Sequence, residues 1–397
     1  MSLTISNISP VLKKMILPIV EAQVSKKVIL LDQVKKNVGV EVINDNIYIA
    51  VRTAFHSGFY SPAEGTEPRV GKSTYAQPVA PMKYNFSTVE FTDQALSAAS
   101  AVGPKSVAKI LTTEIESARD TAKKHGNRIL HGAGTGKLCQ TNGAQGGGGS
   151  ATLTVDGCPS SPASGGNHTK YLAPGQYISI AGATAVQILT VDSKTQVTLT
   201  AVSTWADDAV ITLADASEPM GLAGIIDDGD NVATFQNILR SANPWANAQT
   251  DDTSEALSEA DMIDRLIEAR EYGDGPNMVL MGKTMWVKYG SLLTSMKRTT
   301  EVKPVLSGGW KGLEFMDGVP VLWDPDTWEG YVQMPNTRKL TIAQGSSMLE
   351  WLEADAMGGI LRRSPTNRAN WEGTMKWYFN FVGRQVNDSA RLSGKTA

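Results

Sequence analysis

A phosphate-binding loop requires Gly-x-x-x-x-Gly-Lys-Ser/Thr, because successive backbone N–H groups must wrap the phosphate while the lysine and the hydroxyl reach it. Gly132-Ala-Gly-Thr-Gly-Lys137 comes close, but His131 stands where the first glycine belongs and Leu138 where the hydroxyl belongs. Gly71-Lys72-Ser73 keeps the lysine and the hydroxyl, yet Thr66 occupies the first glycine position, with Gly65 one residue away. Neither stretch predicts nucleotide binding.

Nucleophilic and metal chemistry are equally thin. There is no Gly-x-Ser-x-Gly elbow, and His56, His125, His131 and His168 fall outside any His-Glu-x-x-His spacing. The acidic pairs Asp207-Asp208, Asp227-Asp228 and Asp251-Asp252 sit in segments that read as turns, where aspartate is favoured for bonding its own backbone. Cys139 and Cys158 are too few for a disulfide scaffold and form no Cys-x-x-Cys pair, so they read as free thiols of a reducing compartment. The expectation is a protein without catalytic residues, cofactor site or metal site, and not an enzyme.

The elements that would position these residues point elsewhere. A chain of 397 residues can bury one large or two medium cores. Its 37 basic and 40 acidic side chains nearly balance, so no global field drives it onto nucleic acid or anionic lipid. No apolar run approaches the ~18 residues of a membrane span, and the start lacks the apolar core of a signal peptide. Synthesis and assembly in the cytoplasm, away from membranes, are expected.

Residues 1–46 open with apolar clusters separated by Lys13-Lys14, Lys26-Lys27 and Lys35-Lys36, and Pro18 interrupts them. This reads as an arm that lies along something else. An alternating strand, Ile47 to Val51, then leads into a stretch from Phe59 to Met82 that contains neither Leu nor Ile and carries Pro62, Gly65, Pro68, Gly71, Pro78 and Pro81. It cannot build a core of its own. Alternation returns in Tyr84, Phe86, Thr88 and Glu90, so 47–91 reads as two strands joined by a projecting loop. Residues 106–130 have the 3.6-residue period of a long amphipathic helix, with Pro104 near its start and Gly132 after its end.

Composition shifts at Gly146–Gly149: 150–217 has short β-branched runs divided by turns, no Arg, and only Lys170 and Lys194. A small inserted β-subdomain or barrel is predicted there. Helices around Leu257–Tyr272 and Thr284–Met296 alternate with strands near Met278–Met281, Val319–Trp323 and Tyr331–Met334, and an aromatic-rich strand closes the chain over Trp371–Val386. The fold class is α+β.

The segment Lys311-Gly-Leu-Glu-Phe-Met-Asp-Gly-Val-Pro-Val-Leu-Trp-Asp-Pro-Asp326, then Tyr331-Val-Gln-Met-Pro-Asn336, and the ending Trp377-Tyr-Phe-Asn-Phe-Val-Gly-Arg-Gln-Val-Asn387 with Ala390-Arg-Leu392 resemble the major capsid proteins of tailed bacteriophages, the Hong Kong 97-like fold. The resemblance implies an N-terminal arm over 1–46 and an extended loop (β-hairpin) over 47–91 that lies on a neighbouring subunit. It implies a peripheral domain over 92–149 with a spine helix at 106–130, an axial domain over 218–345, and return strands of both domains over 346–397. The β-subdomain at 150–217 departs from the minimal pattern. The implied function is self-assembly into pentamers and hexamers of an icosahedral shell around double-stranded DNA, located in the virion, with scaffold, portal and possibly decoration proteins as partners. Lys72 lies in the loop that some members cross-link, but no acceptor matches by motif, so a non-covalent shell is expected. An encapsulin-like compartment shell and a carbohydrate-binding or adhesive β-rich protein are the competing readings.

Overall fold

The computed structural model describes residues 28–37, 40–67, 69–94, 97, 104–214, 217–296, 313–352, 362–364 and 369–397. Most of the expected arm, up to residue 27, lies outside this set, as do 297–312 of the expected axial domain.

Helix α1, Pro104–His131, is one residue or two longer at each end than its periodicity predicts. Arg128 and His131 in its last turn face the negative end of the helix dipole. At about 1.5 Å per residue it is a beam of about 42 Å. Its apolar stripe lies on a six-stranded sheet whose centre is the long strand Asn370–Gly383. Gly126 shows why a mid-helix glycine is retained despite its cost of about 1 kcal/mol in helix propensity. A Cβ there would stand 2.9 Å from the Trp377 ring, itself buried and stacked on Phe379 with ring centroids 4.0 Å apart.

Asn370–Gly383 pairs along one edge with Lys83–Thr92 in an unbroken antiparallel register, from Asn370 opposite Thr92 to Phe379 opposite Lys83. Its other edge takes three short segments: Arg362–Arg363, Glu350–Trp351 and Leu340–Gln344. Lys35–Lys36 adds in parallel to Leu340–Gln344. The preceding turn buries Leu30 and Leu31 against Ile129 and Leu130 of α1.

The second six-stranded sheet runs in the order Gln249–Asp251, Ala390–Leu392, Val332–Met334, Val279–Met281, Val319–Trp323 and Leu313–Phe315. Helices α2, Glu259–Arg270, and α3, Lys283–Met296, pack on it around Met262, Leu266, Met285 and Tyr289. The Ser258 hydroxyl caps α2 by accepting from Asp261 N at 3.2 Å, so the chain turns into helix where its sequence offers a capping side chain. These elements agree with the expected helices and strands to within a few residues.

The β-rich region is a closed six-stranded antiparallel barrel in the order Tyr177–Ile180, Val186–Ser193, Gln196–Trp205, Gln145–Asp156, Cys139–Thr141 and Val210–Leu213. It begins at Cys139, ahead of residue 150 where the composition shift placed it. The reason is that Cys139–Thr141 is a buried closing strand whose alternation is too short to register as a run. Leu153, Val155, Ile178, Ile188, Val197, Leu199 and Ile211 fill its interior together with both free cysteines.

Candidate functional site

The chemistry-bearing side chains gather in two buried networks, and the exposed apolar ones gather on a hairpin. The first network forms where α1, the barrel and the Asp324-Pro325-Asp326 turn meet. The turn follows strand Val319–Trp323, and proline fixes its backbone so that both carboxylates point inward with essentially no exposure. Asp326 Oδ1 receives Lys124 Nζ at 2.6 Å, Tyr171 OH at 2.7 Å and Lys170 Nζ at 3.3 Å, while Asn127 Nδ2 donates to Oδ2 at 2.8 Å. Asp324 pairs with His131 Nε2 at 3.2 Å, and its Oδ1 accepts Asp326 N at 2.9 Å.

Burial opposes charge in this cluster, and the pairing overrides it. Burial would lower His131, but the Asp324 carboxylate and the bonds to Asp324 and Gln333 raise it above the ordinary imidazole value. Burial would raise Asp324 and Asp326, yet His131 holds the first below the ordinary carboxylate range and Lys170 and Lys124 hold the second below it. His125 drops to about 4 because its burial, together with the Arg128 and Lys124 cations beside it, outweighs the pull of Asp326.

Thr327 Oγ1 lies 3.5 Å from His131 Nδ1, which puts a hydroxyl, an imidazole and a carboxylate in line. Catalysis does not follow. All three are sealed from solvent, and Gln333 Oε1 occupies His131 Nδ1 at the shorter distance of 3.0 Å, so a substrate has neither path nor base. The Gly132–Lys137 loop leads from α1 into the barrel, and Lys137 Nζ bonds Gln140 Oε1 at 2.6 Å instead of reaching into an anion cradle. The cavity beside that loop is lined by carboxylates as well as cations, including the Arg128–Glu218 ion pair.

The second network centres on Arg391. Its guanidinium, fully buried, donates to Asp227 Oδ1 at 2.8 Å, to the Ala223 and Ile226 carbonyls, and to both Asp252 oxygens at 2.9 and 3.1 Å. Of the acidic pairs expected to be turn residues, Asp207-Asp208 stays one, with Asp207 accepting Gly143 N at 2.6 Å, whereas Asp227 combines its ion pair with a turn bond from Val232 N at 2.9 Å. Asp251, Glu255 and Asp261 come close enough together to suggest a cation site, but Lys395 Nζ supplies the charge, 2.9 Å from Asp251 and 2.7 Å from Glu255.

The hairpin is the opposite of these networks. Asn46–Tyr48 pairs with Val79–Pro81, and Val51–Arg52 with Tyr75–Ala76. Beyond them the two legs continue through Thr53 N to Thr74 O at 2.9 Å and Ser57 N to Lys72 O at 3.2 Å. None of the described residues between 53 and 74 is buried, and Phe55, Phe59 and Val70 are 91%, 94% and 101% exposed. Lys72 and His56 lie on it, exposed, and His56 Nδ1 only accepts Gly58 N at 3.1 Å. Large apolar side chains in water on a coreless projection are unfavourable in an isolated subunit.

No family model and no curated protein matches the sequence. Solved structures do. The chain is similar to a chain of the cyanophage A-1(L) capsid asymmetric unit over 96% of each, with a TM-score of 0.60 at 13% identity. Weaker similarities reach the capsid of a native GTA particle, with 9% identity, 96% of each chain and a TM-score of 0.45. They also reach the encapsulin complex from Synechococcus elongatus PCC 7942, with 10% identity, 97% and 95% coverage and a TM-score of 0.47. The first of these shows the fold: a mixed α/β, Hong Kong 97-like capsid fold, followed from one end of the chain to the other.

Two features were missed in the sequence. The His131–Asp324–Asp326 cluster joins segments nearly two hundred positions apart, and its only local signal is the Asp-Pro-Asp turn. Arg391 had none beyond being a charge inside an apolar strand.

Proposed function

We propose that this chain is the major capsid protein of a tailed double-stranded DNA bacteriophage and that it acts by assembling into an icosahedral shell, not by catalysis. The observation that carries this reading is the capsid fold together with a hairpin whose apolar side chains nothing among the described residues covers. A neighbouring copy is the natural cover, because a head-to-tail contact uses two different patches of the same subunit and closes into a ring when the rotation permits. In this reading 1–46 is the arm, 47–91 the extended loop, 92–149 the peripheral domain with α1 as its spine, and 218–345 the axial domain. Residues 346–397 supply the return strands, and the barrel is the insertion expected over 150–217. Pentamers and hexamers enclose the genome without reading its sequence, the shell forms in the bacterial cytoplasm and persists in the virion, and scaffold, portal and decoration proteins are further partners.

The test is negative-stain electron microscopy with light scattering of the chain at micromolar concentration, alone and co-expressed with neighbouring phage genes. Closed particles or stable pentamers and hexamers support the reading. A strictly monomeric or dimeric species under every condition refutes it.

A further inference from the structure

The chain has a single Asn-Gly pair, Asn142-Gly143, and it lies in the short connection between the closing barrel strand Cys139–Thr141 and Gln145–Asp156. An asparagine can react with its own backbone: the next amide nitrogen attacks the side-chain carbonyl carbon, ammonia leaves, and water opens the resulting five-membered succinimide to isoaspartate or aspartate. Two things ordinarily hold the reaction back. The side chain of the following residue crowds the approach, and an amide nitrogen attacks poorly while it keeps its proton.

Both obstacles are reduced at this position. Asn142 is exposed, and Gly143, at φ +85°, has only open space within 4 Å of where a Cβ would stand. The Gly143 N–H donates to Asp207 Oδ1 at 2.6 Å, within the reach of a general base. The turn that carries Asp207 is tied to the strand that carries Asn142. Thr141 Oγ1 donates to Ala206 O at 2.7 Å, Ala209 N donates to Thr141 Oγ1 at 2.9 Å, and Asp208 N reaches Thr141 O at 3.1 Å. Asp207 Oδ1 also accepts Asp208 N at 3.1 Å, and Trp205 Nε1 donates to Gly143 O at 3.1 Å. Nucleophile and base are thus held together by the fold and wait only for the Asn142 side chain to turn.

We propose that Asn142 is a self-modifying site, converted to isoaspartate or aspartate with Asp207 as the base. Asp207 Oδ1 takes the Gly143 amide proton as the nitrogen bonds to Asn142 Cγ. The Cγ–Nδ2 bond breaks, and the proton passes to the departing nitrogen, which leaves as ammonia. Water then adds to one carbonyl of the ring and opens it, so nothing is oxidised or reduced and water is the only co-reactant. The product carries one more negative charge than the amide, beside Asp207 and Asp208, and the isoaspartate form routes the backbone through one extra carbon. Both changes fall where the closing strand hands over to the glycine-rich stretch Gly146–Gly149. The conversion runs one way, so the charge accumulates with the age of the subunit.

The test follows the purified full-length chain over days at neutral pH by peptide mass spectrometry that separates asparagine, aspartate and isoaspartate, beside a free synthetic peptide spanning 138–147. Asn142 is expected to convert faster in the folded chain than in the peptide, because only the fold supplies Asp207. Asp207→Asn keeps an oxygen that accepts Gly143 N and so keeps the turn, yet loses the base; it is expected to convert about 100-fold more slowly than wild type, the lower end of what a positioned base contributes. Asp208→Asn, whose carboxylate bonds Gln140 instead, is expected to keep the wild-type rate. Conversion in the folded chain at the peptide's rate or below overturns the proposal, since the bond to Asp207 then shields the amide instead of activating it. So does a wild-type rate in Asp207→Asn, or an equal slowing in Asp208→Asn. The comparison with the peptide needs no variant and decides the matter even where Asp207→Asn fails to fold.

Discussion

Replacing Asp326 with asparagine removes the charge on which α1 and the barrel converge, and the structure sets the size of the effect. The carboxylate carries two lysine contacts, one tyrosine hydroxyl and one asparagine amide, all at 3.3 Å or less. Asparagine keeps one acceptor oxygen and presents a donor in place of the other, so either Asn127 or the lysines face a second donor. Breaking one side of a buried ion pair costs about 3 to 5 kcal/mol, because the partner charge is left in low dielectric. Lys170 is partly exposed and can turn to water, and Lys124 is nearly buried, so the lower half of that range, about 3 to 4 kcal/mol, is expected. Urea denaturation at pH 7, followed by tryptophan fluorescence, measures it. Because Asp326 and Asp324 both lie below the ordinary value of 3.8, their stabilisation is present above that pH and lost as the pH falls through their depressed values. The variant should therefore lose part of the acid sensitivity of the wild type. A loss under about 1 kcal/mol at pH 7 would refute the idea that this turn anchors the barrel, since that is the worth of an ordinary surface pair.

Three further outcomes are expected. Phe55→Ser with Phe59→Ser should leave the urea midpoint within about 0.5 kcal/mol of wild type, because neither ring is buried, and abolish particles in electron microscopy; particles of normal yield would contradict the role given to the hairpin. Gly126→Ala should lose about 1 to 3 kcal/mol in the same denaturation assay despite alanine's better helix propensity, since the added methyl meets Trp377; a gain would show that the ring can shift. Asp388, raised to about 6 by burial, has a folded value above its unfolded one, so its contribution is complete below about pH 4 and is lost as the pH rises through about 6. Asp388→Asn should flatten the stability profile across that window by at most about 3 kcal/mol, read from midpoints at pH 4, 5, 6 and 7.

The sequence revealed what depends on local pattern. The period of α1, the β-branched runs of the barrel, the coreless stretch after Phe59 and the closing aromatic strand were all visible, because each is a regularity within a few dozen residues. Lost were the features set by distant partners. Nothing near Gly126 in the chain calls for a glycine; Trp377, far along the chain, lies where its side chain would stand. Cys139–Thr141 became a strand only because Val210 and Ile211 lie beside it. His131 read as an isolated histidine near a helix end, since nothing local announces that Asp324 and Gln333 will close around it.

The barrel begins and ends on two strands that are neighbours in one ladder, Gln140 opposite Val210 and Cys139 opposite Ile211. The chain therefore leaves the rest of the subunit and returns to it at nearly the same point. A domain attached this way is a cassette: exchanging it for another whose two ends lie side by side leaves the remaining path of the chain unaltered. Surface modules could be traded between such subunits, by recombination or by an engineer displaying a foreign domain, provided the replacement carries its own neutralising partner for Asp326.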